Sequence, residues 1–316
     1  MQSTVIGGNA PERRVAALQE LWRIDGRGRS AADTWQPLDE ARRTQAVSSA
    51  MTIGEPGWFA PRSLYGPLWN PFGNPEPSSL YDSSPLEGRL RRLVDFDLLN
   101  HGTTRFSATA VDIETGAEIV YDNRSHRFTA HHLRAIGALM PVFSPVELEG
   151  RLVGDAGLST NLPLDVVMGA RADRSVLCIA FDLLPLRSGR PESLGAVASR
   201  TQDLIFATQS RRAIAAWQAI FAERAGREAK ESITLLHISY ADQDREVSGK
   251  AFDFSRASAS ARWQAGHKDA ERALAAIAAK SLPLGEPGLH AYALGSGEGD
   301  SPRLQPIDAK LGPVLA

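Results

Sequence analysis

The residues richest in chemistry stand in Gly154-Asp-Ala-Gly-Leu-Ser-Thr-Asn-Leu-Pro-Leu164. One acidic residue, Asp155, follows an apolar segment and sits between small residues, so a tight turn exposes a single carboxylate. Just upstream runs Ala135-Ile-Gly-Ala-Leu-Met-Pro-Val-Phe-Ser-Pro-Val146, where small residues lead into Pro-Val-Phe. Nucleophilic acyl chemistry needs a nucleophile, a base for its proton, and donors for the tetrahedral oxyanion. The G-x-S-x-G elbow, a strained strand-to-helix turn that exposes a serine, does not occur in the 316 residues. Gly295-Ser-Gly-Glu-Gly299 has a glycine where the serine belongs, and Gly28-Arg-Ser-Ala-Ala32 lacks the final glycine. Ser159 lies four residues past Asp155, but no glycine donor loop surrounds it, and it reads as a turn or capping serine.

Other reactive side chains read as structural. Cys178 is the single cysteine and stands in Val176-Leu-Cys-Ile-Ala-Phe181, so it reads as a small buried hydrophobe. No charged group stands near it in sequence to favour the thiolate, and no internal disulfide can form. The seven histidines show no metal-binding spacing, and HExxH, paired cysteines and a carboxylate cluster are all missing. His131 and His132 are adjacent, so their side chains diverge. His237 stands in an apolar strand and reads as a core histidine. These patterns predict no metal.

Composition sets the class. Lys and Arg number 35 and Asp and Glu 37, for a net charge of −2, which argues against a nucleic-acid partner. The apolar fraction of 43% suits a globular chain. No apolar run reaches the ~18–20 residues of a membrane-spanning helix, and the N-terminus lacks a signal-peptide core. These features predict a cytoplasmic protein and are compatible with peripheral contact with a lipid surface.

The elements that must position Asp155 follow from periodicity. Residues 11–23 predict an amphipathic helix with Pro11 in its first turn and Asn9 as its N-cap. Residues 54–79, rich in Gly, Pro and aromatics, predict an ordered loop, either on the surface near a substrate entrance or packed over the core. Leu86 to Leu99 predicts one helix. Strands are expected over 105–112, 118–121, 142–146 and 151–153, with a turn at Glu149-Gly150. Further strands are expected over 175–181 and 233–238, and helices over 194–230 and 257–280. Interleaved strands and helices predict an α/β sandwich.

The stretch around Asp155 also resembles a known family, the patatin-like phospholipases. Asp155-Ala156-Gly157 is similar to that family's Asp-Gly-Gly or Asp-Gly-Ala, with Ala156 in place of the middle glycine. Ala135 to Phe143 resembles its Ala-Ser-Gly-Ala-Leu-Pro-Pro-Val-Phe, with Ile136 and Met140 as departures. Gly157 to Leu164, including Asn161 and Pro163, resembles its Gly-Leu-x-x-Asn-x-Pro-Leu, and Phe106 to Gly116 resembles its strand and Thr-Gly turn. Phe252-Asp-Phe-Ser-Arg-Ala-Ser258 and Arg262-Trp-Gln-Ala-Gly-His-Lys-Asp269 resemble the C-terminal domain of unknown function that some bacterial members carry.

The resemblance implies a lipid acyl hydrolase with a Ser–Asp dyad, a lipid or acyl-ester substrate and no cofactor. Asp155 would be the proton acceptor, with Ala156, Gly157, Asn161 and Pro163 as its supporting motif. It implies an α/β three-layer sandwich with a central mostly parallel sheet holding the strands of residues 100–181, plus a helical C-terminal region. The expected domains are 1–190, 191–285 and a weakly ordered tail over 286–316. The family's oxyanion loop and elbow have no match, since Gly7-Gly8 is followed by Asn9-Ala10. Ser3-Thr-Val-Ile-Gly-Gly-Asn-Ala-Pro-Glu-Arg-Arg14 resembles the segment after the elbow helix, so the expected domain is incomplete at its N-terminus, by truncation or by an internal start. The alternative is a catalytically inactive fragment or pseudoenzyme that binds lipid or a protein partner. The oligomeric state is not legible.

Overall fold

The computed structural model describes residues 1–23, 36–62, 79–169, 175–225, 231–240, 243, 246–295 and 304–307. The Gly28–Ala32 segment, residues 63–78 of the aromatic loop, residues 226–230 and the end of the tail lie outside the described residues, as does the centre of Gly295–Gly299. The chain forms two compact units, one of Met1–Ser159 with Gly249–Ser260, the other of Thr160–Ser248 with Ala261–Ala316. The class is α/β, as the sequence predicts.

The first unit opens with helices α1 (Gln2–Gly7), α2 (Pro11–Trp22) and α3 (Gln36–Ile53). Pro11 starts α2 as expected, but Ala10 is its N-cap. Asn9 is instead buried, and its amide donates to Val5 O at 2.9 Å and to Leu93 O at 2.7 Å. A side chain that can satisfy two buried carbonyls at once gains more there than at an exposed cap. The short strands β1 (Ala60–Pro61) and β2 (Tyr81–Asp82) pair antiparallel. The described part of the aromatic loop packs inward, the second of the two expected arrangements: Phe59 is buried against Tyr81, Phe143, Phe252 and Phe254.

The single helix expected over 86–99 is two, α4 (Pro85–Leu93) and α5 (Phe96–His101). Val94 is extended, and the Asp95 carboxylate accepts the amides of Asp97 and Leu98, capping a new helix start. The apolar pattern runs through the break because both helices bury the same side, with Leu90 and Leu99 in one core. Helix α6 (Ala130–Ile136) joins that core through Leu133 and Ala135, and Thr129 caps it.

Against these helices lies a four-stranded sheet in the order β4-β3-β6-β5. Its strands are β3 (Ser107–Asp112), β4 (Glu118–Asp122), β5 (Val146–Leu148) and β6 (Arg151–Asp155), and all its pairings are antiparallel. The expectation of parallel pairing among these strands therefore does not hold. The physical reason is connection length: β3 to β4 and β5 to β6 are joined by short turns, which permit only antiparallel neighbours. Residues 142–145 are not strand. The β5–β6 turn places Glu149 at φ 54° and Gly150 at φ 76°, a two-residue hairpin of the primed type that matches strand twist.

The mostly parallel sheet lies in the second unit. It has the order β10-β9-β8-β7, formed by β7 (Val176–Asp182), β8 (Ser232–Ser239), β9 (Gly288–Leu294) and β10 (Leu304–Pro306). β7, β8 and β9 are parallel and β10 is antiparallel. Ahead of the sheet comes the short helix α7 (Asp165–Met168); α8 (Leu194–Ala225) links β7 to β8 and α9 (Arg256–Ala278) links β8 to β9. Helix α8 covers the face carrying Ile233 and Leu235, and α9 covers the face carrying Leu236 and Ile238. The C-terminal region thus carries strands as well as helices. Residues 288–294 and 304–306 are ordered strands where a weakly ordered tail was expected. Glycines and prolines flank β9, so its apolar positions escape notice until β8 offers it a backbone partner. Cys178 faces the α8 core, and burial pushes its thiol up.

Candidate active site around Asp155

Asp155 ends β6, where it pairs with Ala110 of β3. Its own amide donates to Ala138 O at 3.0 Å. Its Oδ1 accepts the Gly157 amide at 2.7 Å, so the carboxylate caps the 3-10 turn Ala156–Leu158. Two backbone anchors and one side-chain bond therefore fix the residue. Gly154 makes the close approach possible: a Cβ there would meet Ile113 Cδ1 at 2.8 Å and Ala138 O at 3.3 Å.

The electrostatics are those of a half-buried acid. Burial pushes the Asp155 carboxyl above its ordinary range, opposed by the Gly157 amide and the Met1 amino group. The Met1 amino group is pushed down by its own burial, and Asp155 opposes that shift. The carboxylate therefore stands within electrostatic reach of the N-terminal end of α1. Met1 also reaches toward Gly137, where an added Cβ would meet its Cε at 3.3 Å. A carboxyl raised in this way holds a proton more tightly than an exposed aspartate does.

The supporting motif divides in two. Ala156 is buried and not among the residues with positive φ, so replacing the family's glycine there costs no backbone strain. Gly157 contributes its amide. Asn161 and Pro163 lie in the second unit. The Asn161 side chain donates to Ser210 Oγ at 3.1 Å, and its amide donates to Gln209 Oε1 at 3.0 Å, so it fastens its loop to α8. Pro163 leads into α7, whose Met168 is buried and whose Asp165 accepts the Trp217 indole at 2.9 Å. Ser159 behaves as a turn residue: its amide and hydroxyl both donate to Ala156 O.

His237 sits on β8 with its Nε2 3.7 Å from Asp182 Oδ2. Burial pushes Asp182 up, but the nearby His237 ring and bonds from Ser210 and the Leu184 amide outweigh it and hold the carboxyl below its usual range. This cluster braces the ends of β7 and β8 against α8. Among the described residues no group of three His, Cys, Asp or Glu side chains could hold a metal, and no helix is long and apolar enough to cross a membrane.

Ala138 and Met1 are parts of the Asp155 site that sequence reasoning did not single out. Ala138 lies in the small-residue run, but its role is played by a carbonyl oxygen and leaves no side-chain signal. The comparisons agree with the motifs. Residues 206–283 match the domain of unknown function described as patatin phospholipase. No match to the chain is found among curated proteins. Residues 4–168 match the family described as patatin-like phospholipase. That match covers more than half of the 316 residues and contains Asp155 with all its anchors, so the chain belongs to the patatin-like phospholipase family.

Proposed function

We propose that this chain carries the proton-accepting half of a serine acyl-hydrolase site, with Asp155 as the base of a Ser–Asp dyad and a lipid acyl ester as substrate. In that reading Asp155 takes the proton from a serine hydroxyl as its oxygen attacks the ester carbonyl. The protonated carboxyl then returns the proton to the departing alcohol. Water, deprotonated in turn by Asp155, attacks the acyl-enzyme and releases the fatty acid with the serine restored. The observation that carries the reading is the position of Asp155: half-buried, anchored at the end of β6, and within electrostatic reach of the N-terminal end of α1. A cytoplasmic location and peripheral contact with a lipid surface belong to the same proposal.

A second reading is a catalytically inactive member that binds lipid or a protein partner. The observation favouring it is that no G-x-S-x-G occurs in the 316 residues. Hydrolysis of p-nitrophenyl acyl esters, with fluorophosphonate labelling of serine, tests whether this polypeptide holds a nucleophile. It is expected to turn over no faster than its Asp155→Ala variant, since loss of even one oxyanion donor costs ~10²–10³ in rate. Asp155-dependent turnover with a labelled serine would show that the chain holds a nucleophile of its own.

A further inference from the structure

We propose that His131 is a proton-dependent clamp: as an imidazolium it ties α6 to α4 and to β5, and so fixes the hairpin that ends in Asp155. The geometry is unusual in what it asks of the ring. His131 Nδ1 lies 3.0 Å from Glu87 Oε1 on α4, and Nε2 lies 3.1 Å from the main-chain oxygen of Glu147 on β5. A carboxylate and a carbonyl oxygen can only accept, so both ring nitrogens must donate. Only the doubly protonated imidazole does so; either neutral tautomer turns a lone pair toward one of the two oxygens.

The neighbouring histidine is a built-in contrast. His132 Nδ1 lies 2.8 Å from Thr129 Oγ1, and Nε2 lies 3.4 Å from Glu149 Oε1. A hydroxyl can donate to a lone pair, so the neutral tautomer with Nε2–H satisfies both of these contacts. One helix thus carries two adjacent histidines with different proton requirements.

The surrounding charges are balanced. On α4, Arg91 Nη2 lies 2.9 Å from Glu87 Oε2, and on α6, Arg134 Nε lies 3.4 Å from Glu87 Oε1. β5 brings the exposed Glu147, its turn Glu149, and β6 the exposed Arg151. On β3, Asp112 is engaged by its own turn, accepting the amides of Glu114 and Thr115.

The clamp reaches Asp155 by two short routes. Glu147 pairs with Leu152 on β6, three residues before Asp155. Helix α6 runs into Ala138, whose carbonyl accepts the Asp155 amide. Loss of the proton costs His131 one of its two bonds, to α4 or to β5, and so loosens the tie that holds the hairpin. Any effect on turnover rests on the role proposed for Asp155; the clamp itself does not.

Amide hydrogen exchange tests the clamp without any activity. In the wild-type chain, the protection factor of the Asp155 amide and of the β5–β6 amides is expected to fall about five- to tenfold from about pH 6 to about pH 8, the loss of one charge-assisted hydrogen bond. His131→Gln is expected to show low, flat protection over that range. His132→Gln is expected to keep the step. Glu87→Gln, which keeps the shape and removes the charged acceptor, is expected to shrink it. A wild-type profile with no step overturns the proposal without any variant, and so does an undiminished step in His131→Gln.

Discussion

At the scale of single residues, two carboxylates show burial and hydrogen bonding pulling in opposite directions. Asp122 is held down to about 2, since the Ser107 hydroxyl, the Arg124 amide and Arg105 outweigh the upward push of burial. Its Oδ2 accepts both the Arg105 Nε and the Ser107 hydroxyl at 2.6 Å. The folded value lies below the unfolded one, so the stabilisation is present above about pH 4 and is lost as pH falls toward 2. Asp122→Asn is expected to cost about 1–2 kcal/mol at neutral pH and to flatten the acid limb of urea-melt stability. Asp155 has the opposite sign. Its folded value is raised by burial, so its contribution is favourable below the unfolded value and is lost as pH rises through the folded one. Asp155→Asn keeps the Gly157 contact without the charge. It is expected to raise the melting temperature at neutral pH, as a functional group kept at the expense of stability would. A lower melting temperature would mean that the charge itself holds the turn together.

At the scale of elements, the hairpin and the helix break around the site rest on a few local devices. Gly150 sits at φ 76° in a two-residue turn with nothing within 4 Å of an added Cβ, so Gly150→Ala probes backbone conformation alone. It is expected to destabilise by about 1 kcal/mol and to raise amide exchange first in β5 and β6. Asp95 marks the start of α5 with two amides accepted on Oδ1 at 2.9 and 3.0 Å. Asp95→Ala is expected to cost about 1 kcal/mol by denaturant melt. A smaller loss would assign the break between α4 and α5 to the Asn9 bond at Leu93 instead.

At the scale of the whole molecule, the proposed reading turns on what stands beside Asp155. The Met1 amino group at the start of α1 interacts electrostatically with Asp155, and in the proposed reading a dyad serine would stand in that neighbourhood. A polypeptide carrying a G-x-S-x-G segment joined ahead of α1 is therefore expected to hydrolyse p-nitrophenyl acyl esters. Asp155→Asn in that polypeptide is expected to abolish turnover while leaving circular dichroism unchanged, since the amide keeps the shape but cannot take the proton. Activity that survives Asp155→Asn would assign the base elsewhere. Inactivity of the longer chain, correctly folded, would favour the binding reading.

The sequence by itself determined what is local. The Gly-Asp-Ala-Gly turn, the Glu149-Gly150 hairpin, the start of α2 at Pro11 and the apolar strand over 176–182 all follow from side-chain period and turn chemistry within a few residues. The family was legible too, because its motifs are contiguous. Tertiary structure decided which strand pairs with which: β3 with β6 across some forty residues, and β9 with β8 in a stretch that reads as loose. It also turned Asn9 from a cap into a buried tie, and it gave Asp155 its burial, its Ala138 anchor and its neighbour at Met1. These depend on groups far apart in the chain, many of them backbone oxygens and amides that every residue carries. A linear pattern records which side chains want to be buried, but the partners that bury them are chosen only when the whole chain closes.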